Sequence, residues 1–333
     1  MKYKNSFKKI NYSFQLLRLL LCFWVVIAHS YKYSYKLRKG RFHVPIFMIM
    51  SFYFYYNIIK TKDTIKIKQR FQRLLIPYIF WPIIIFILNN ILFKIEFSIY
   101  NKKLLLNDLI KQLIFGRNYH NIFYFLFILI ILTLLFTIIS FLFNKSMVII
   151  FQLLLIVAYI FQYSFWNLFI FKEYSTIIKF SLGNIAELLP FAVIGVTLKY
   201  LDINTKLIKL KRLTIFYLGI IIFLILKFEI FASIRGFYFP GILFNIGGTC
   251  IFILFSIFSF QNKKLIFLLK FITKFTGGIF YIHSICIISL QKKIFFIKNK
   301  TFQGSIVIYI ICYIICYLGN KLTYKTKFKF LFN

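Results

Sequence analysis

Acidic side chains are nearly missing from this chain. Its 333 residues carry 43 Lys and Arg but only seven Asp and Glu, mostly in loops, which argues against metal catalysis. The five cysteines, Cys22, Cys250, Cys286, Cys312 and Cys316, all lie in apolar runs. Their spacing suits neither a zinc site nor a disulfide framework, so core packing is their expected role and no metal is expected. No Ser/Gly-rich linker or long polar insertion divides the chain, which excludes a separate soluble domain. A phosphate-cradling Gly loop, an HExxH helix and a GxSxG elbow are all absent from the sequence. No internal repeat points to an inverted-repeat transporter.

What fills the chain instead is apolar. Hydrophobic residues make up 61%, with 47 Phe and 23 Tyr, and the mean hydropathy is +0.83. Hydropathy windows of about 20 residues place ten spans near 14–31, 42–59, 74–93, 121–143, 147–168, 181–199, 213–231, 239–260, 265–290 and 304–322. The expected fold is an all-α, polytopic integral membrane bundle of about ten transmembrane helices, one domain over residues 1–333 with no appended soluble domain. The net charge of +36 would suggest nucleic acid in a soluble protein, but no polar domain presents a basic face, so that partner is rejected. Anionic membrane lipids are the natural remaining partner, and a lysine-rich compositional bias explains much of the charge. Lys2, Lys4, Lys8 and Lys9 precede the first run without a small-residue cleavage site, as a retained first anchor would have them. A modest excess of Lys and Arg in alternate loops sets both termini on the cytoplasmic side of a cell membrane.

The first span, FQLLRLLLCFWVVIAHSY from Phe14 to Tyr31, carries two side chains foreign to lipid, Arg18 and His29. Eleven residues return a helix to within ~20° of the same direction and cover ~16 Å. Both therefore share one face, about half a membrane apart. Ionisable groups inside a span face protein or a water-filled cavity, so the pair suggests a polar seam through the bundle. A headgroup-belt histidine and a snorkelling arginine are the plainer alternatives.

Arg70 and Arg73 form a second pair before span 3, three residues apart and so on one helical face. Two guanidinium forks there could grip phosphates, although basic residues also flank inner helix ends for topological reasons alone. Pro77 near the helix start is tolerated, whereas Pro82 should kink the span.

Together these residues carry a resemblance. Arg18 and His29 stand as R-x10-H, and Arg70-Phe-Gln-Arg73 as R-x-x-R. Tyr119-His120-Asn121-Ile122-Phe123-Tyr124-Phe125-Leu126 resembles an aromatic HLWFL opening of span 4, with Phe at 123 in place of Trp. Gly278-Ile279-Phe280-Tyr281-Ile282-His283 resembles a YxIYLIH stretch in span 9. The set is similar to the acyltransferase-3 family of membrane-bound O-acyltransferases, which modify sugars of cell-surface polysaccharides.

The resemblance implies an acyl-CoA-dependent O-acyltransferase. It would move an acyl group, commonly acetyl, from cytoplasmic acyl-CoA to a hydroxyl of a cell-surface or exported glycan or a lipid-linked sugar. Acyl-CoA would be a co-substrate, with no bound cofactor. His29 would take the acceptor proton or carry the acyl group transiently. Arg18 would position the donor or steady the thioester oxygen, and Arg70 and Arg73 would bind acyl-CoA.

Three further residues are candidates for the acceptor side or the cavity. His120 sits in an outer loop. Glu187 is an acid well inside a span, just before Pro190. His283 sits within span 9, where a packed, hydrogen-bonded histidine is the plainer reading. His43 gives no clear signal, and the glycines at 247–248 and 277–278 would allow close helix approach. A different class of protein, a polytopic exporter or flippase for a lipid-linked sugar or polysaccharide, would use the same seam as a conduit.

Overall fold

A stretch with few helix breakers and little alternation folds as helix, and the computed structural model holds no strand among its described residues. These are residues 12–30, 43–93, 103–116, 123–143, 146–167, 176–202, 214, 217–221, 242–258, 260, 262–291, 301–326, 328 and 331–332. Within them run α1 (Tyr12–Ser30), α2 (His43–Lys60), α3 (Thr64–Phe93), α4 (Leu106–Phe115), α5 (Tyr124–Leu142) and α6 (Met147–Asn167). They are followed by α7 (Thr176–Tyr200), α8 (Ile242–Ile257), α9 (Lys263–Thr273), α10 (Thr276–Gln291) and α11 (Phe302–Thr323).

Helix ends follow local chemistry. Asp63 accepts from the backbone N–H of Lys66 at 3.0 Å, so α3 begins well before the apolar run. Asn262 accepts from the N–H groups of Lys264 and Leu265 to open α9, and Thr301 accepts from Gly304 to open α11. Such caps satisfy amide donors that have no partner within the helix. Gly116 closes α4 at φ 70°; a Cβ there would also lie 2.5 Å from the Cβ of Phe127.

Four helices are long and apolar enough to cross a membrane: Tyr12–Ser30, Thr64–Ile91, Tyr124–Leu142 and Phe302–Thr323. The pair α9 and α10, bent by 47°, makes up to five among the described residues. That is fewer than the ten spans expected. Much of the expected span 213–231 lies outside the described residues. The expected ninth span, 265–290, is two helices with a break at Lys274 and Phe275. The loop expected between spans 3 and 4 contains α4. There Asn90 brackets the backbone of Leu104 on both sides, and Tyr78 donates to the Leu113 carbonyl at 2.7 Å.

Helix α11 displays the pattern of a membrane helix. Ile308, Cys312, Cys316 and Asn320 are buried at four-residue intervals, while Ile310, Ile314, Leu318 and Leu322 are exposed at the same spacing. Both faces are largely apolar, one meeting protein and the other suited to lipid.

Packing falls into two cores that meet on α1. Phe14, Leu17 and Leu21 join Phe52, Phe136 and Phe151 in the first, where Phe136 and Phe151 stack with centroids 4.3 Å apart. Cys22 and Val26 join Trp81, Ile279, Ile282 and Cys312 in the second. Helix α7 lies close on α2 at Gly195, where a Cβ would collide with the Ile49 carbonyl oxygen and the Tyr53 amide nitrogen. Without a hydrophobic drive between helices in lipid, such close approach supplies the association energy. Gly278 serves the same purpose, as a Cβ there would lie 2.6 Å from Cys316 Sγ and 2.7 Å from the Phe332 carbonyl oxygen. At Gly248 a Cβ would find only ordinary contacts of 3.6 Å or more, so close approach does not require glycine there.

Candidate active site

Because α1 contributes to both cores, its side chains cannot all face lipid. Arg18 is half-buried, and its guanidinium lies within electrostatic range of Tyr281, Cys22 and Arg73. Tyr281 belongs to α10 and is itself buried. His29, near the other end of α1, meets the same helix. Its ring centroid stands 5.3 Å from that of His283, with the planes tilted by 44°. Arg18 and His29 thus both have neighbours on α10, Tyr281 within electrostatic range of the first and His283 against the second.

The two histidines differ in access. His29 is exposed, whereas His283 is fully buried behind it. Nδ1 of His283 lies 2.8 Å from the Phe280 carbonyl oxygen and 3.3 Å from that of Ile279. A carbonyl can only accept, so Nδ1 carries the proton and Nε2 holds the lone pair of the neutral ring. The last turn of α1 is anchored beside them. Ser30 donates to the Val26 carbonyl at 2.7 Å, and its Oγ is hydrogen-bonded to Ser305 Oγ of α11 at 2.6 Å.

Arg70 and Arg73 lie within α3, one helical turn apart, and have different surroundings. Arg70 is half-buried. Its Nε donates to Thr133 Oγ1 at 3.2 Å and its Nη2 to Ser51 Oγ at 2.8 Å, with Nη1 3.5 Å from the Ser51 carbonyl oxygen. Its guanidinium carbon also stands 4.2 Å from the centroid of the Tyr55 ring, a cation–π contact. The side chain therefore ties α3 to α2 and α5. Arg73 is exposed and lies within electrostatic range of both Arg18 and Arg70. Arg73 thus joins one guanidinium of α1 and one of α3 within electrostatic range, a place where a polyanion gains from several charges at once.

Of the remaining candidates, Glu187 is exposed on α7, one turn before Pro190 within the same helix. His120 lies outside the described residues. Among the described residues, no group of three or more His, Cys, Asp or Glu is placed to hold a metal ion.

Sequence reasoning missed Tyr281 as the neighbour of Arg18, and Ser51 and Thr133 as the partners of Arg70. A signal existed for each. Tyr281 is a polar side chain two residues from His283, and Thr133 is a hydroxyl in the otherwise apolar run YFLFILIILTLLFTIISFL.

What the arrangement can do chemically is hold an anion at the arginines of α1 and α3 and move a proton at the exposed imidazole of α1. Comparison with curated proteins and with solved structures finds no match. A family model described as an acyltransferase domain matches residues 11–323, nearly the whole chain and every residue of this site. The chain therefore belongs to the acyltransferase-3 family and is an acyltransferase built from apolar helices of membrane-spanning character.

Proposed function

We propose that the protein is an acyl-CoA-dependent O-acyltransferase of the cell membrane, acylating a hydroxyl of a cell-surface or exported glycan or lipid-linked sugar. Acetyl is the proposed acyl group. The observation that carries this reading is the division of α1: a guanidinium cluster around Arg18 at one level, an open imidazole, His29, at another. A donor rich in phosphate and an acceptor rich in hydroxyls call for those two chemistries. In this reading about ten spans place both termini inside, so the arginines lie toward the cytoplasm and His29 toward the outer leaflet.

The reaction needs one proton carried and the donor held in place. The acceptor oxygen attacks the thioester carbonyl while its proton passes to His29. The carbonyl C–S bond then breaks and the sulfur takes a proton, leaving an ester and free CoA. Arg73 and Arg18 position the donor by holding its phosphates. Arg70 acts by fixing α3, because its guanidinium is bonded to Ser51 and Thr133.

The test is mass spectrometry of glycans from cells with and without the protein, paired with CoA release by the purified protein in liposomes. Ester-linked acyl groups that vanish with the protein, together with acyl-CoA-dependent CoA release, are expected. Unchanged glycans and no CoA release would refute the reading.

A further inference from the structure

This inference rests on the acyltransferase reading and concerns a residue beyond the arginines and His29. A general base histidine has two ring nitrogens, and only the one bearing a lone pair can accept the acceptor's proton. Something must hold the other nitrogen protonated. In many hydrolases a buried carboxylate does this, yet this chain has only seven acidic residues in all.

The structure offers an imidazole instead. His283 is fully buried and packs its ring on that of His29 at 5.3 Å between centroids. A ring nitrogen lies ~1.1 Å from its centroid and an N–H···N bond spans ~3 Å. Two imidazoles joined edge to edge would therefore stand at about 5.2 Å, close to the 5.3 Å between these rings. The tautomer of His283 is fixed by its own helix, since its Nδ1 proton is given to the Phe280 and Ile279 carbonyls. Its second nitrogen is then an acceptor, as the task requires. Burial keeps His283 from the acceptor hydroxyl, so it does not touch the reacting atoms. The Ser30–Ser305 bond at 2.6 Å anchors the turn of α1 that presents His29.

We propose that His283 is a positioning residue whose Nε2 accepts a hydrogen bond from the ring N–H of His29. This bond fixes the tautomer of His29 with its lone pair toward the acceptor. When the acceptor's proton arrives, His29 becomes an imidazolium with one N–H held by His283. The proton then leaves with the CoA sulfur and the pair returns to its starting state.

The experiment compares His283→Asn with His283→Gln in liposomes, reading kcat and KM for acetyl-CoA and the thermal unfolding of each protein. An Asn amide overlays Nδ1 and keeps the backbone hydrogen bond, while a Gln amide reaches the Nε2 position and can accept from His29. The expected result is a fall in kcat of about 10²-fold for His283→Asn, partial recovery in His283→Gln, and KM within about twofold. The double variant His29→Ala/His283→Asn should be no slower than His29→Ala alone. A purely structural histidine predicts the opposite order, with Asn at least as active as Gln, and that order overturns the proposal. Should His283→Asn fail to reach the membrane, His283→Gln decides by itself, and a rate as low as that of His29→Ala overturns it. A wild-type protein that releases no CoA would instead refute the enzyme reading underneath.

Discussion

The two arginines of one short motif should respond oppositely to truncation. Arg70→Ala removes the hydrogen bonds to Thr133 and Ser51 and the stack on Tyr55. Hydrogen bonds to a charged donor contribute about 1.5–3 kcal/mol each and an enclosed cation–π contact about 1–2 kcal/mol. These do not simply add. Losing these contacts from a half-buried site costs about 2–4 kcal/mol, enough to consume much of a typical margin of stability. Arg70→Lys keeps the charge but not the fork and should recover less than half of that loss. Arg73→Ala removes an exposed side chain, so thermal unfolding in detergent should change little. Its effect should fall on the donor. Losing one phosphate contact worth about 1–2 kcal/mol raises KM for acyl-CoA by about 5–30-fold, with kcat nearly unchanged. Unfolding curves and saturation kinetics on the three purified variants read both axes. If Arg70→Ala unfolds like the wild type, or if Arg73→Ala leaves KM unaltered, the division of labour is wrong.

Other consequences follow from the same contacts. Gly195→Ala should separate α2 from α7, because the new methyl meets backbone atoms of Ile49 and Tyr53 that cannot rotate away. A loss of about 2 kcal/mol or more should appear as a lower unfolding temperature, and an unchanged one would refute the close crossing. Gly319→Ala should displace Phe332, whose ring fills the notch beside it. In a Phe332→Ala background the same change should cost almost nothing, and a persisting cost in that double-mutant cycle would contradict the contact. Asp63, between α2 and α3, is held below its ordinary carboxylate range first by its hydrogen bond with the Lys66 side chain, 2.6 Å away. A depressed carboxylate stabilises the fold above its unfolded pKa and loses that contribution as pH falls through its folded value. Asp63→Asn should therefore erase a small acid-side decline in stability while keeping the helix cap, and unfolding curves between neutral and acidic pH check this.

The parts of the fold that depend on local chemistry were legible in the sequence. The first span was expected at 14–31 and the helix runs Tyr12–Ser30, because one apolar run with two polar residues fixes both length and facing. That Arg18 and His29 share one face followed from helical periodicity, and the contact of His29 with His283 fits the cost of an ionisable group in lipid. What hydropathy could not reveal was a turn inside an apolar run. Lys274 and Phe275 break the ninth span, yet a 20-residue window averages over the break. The start of α3 was also hidden, since the helix begins at Asp63 with polar turns that a hydropathy window rejects. Arg70 shows a deeper limit. Its partners Ser51 and Thr133 lie 19 and 63 residues away, so only the packing of α2, α3 and α5 reveals that its guanidinium ties three helices together. His283 is similar: its sequence context identified a buried histidine, but its neighbour His29 lies on a helix 254 residues earlier.

The account turns on His29 as the group that takes the acceptor's proton. Its most direct test is His29→Ala, with CoA release in liposomes and ester-linked acyl groups on the glycan measured on the same preparation. The expected result is protein present at normal level in the membrane, unfolding at the wild-type temperature, with CoA release down by about 10²-fold or more and the glycan left unacylated. Wild-type acylation by that variant would contradict the account.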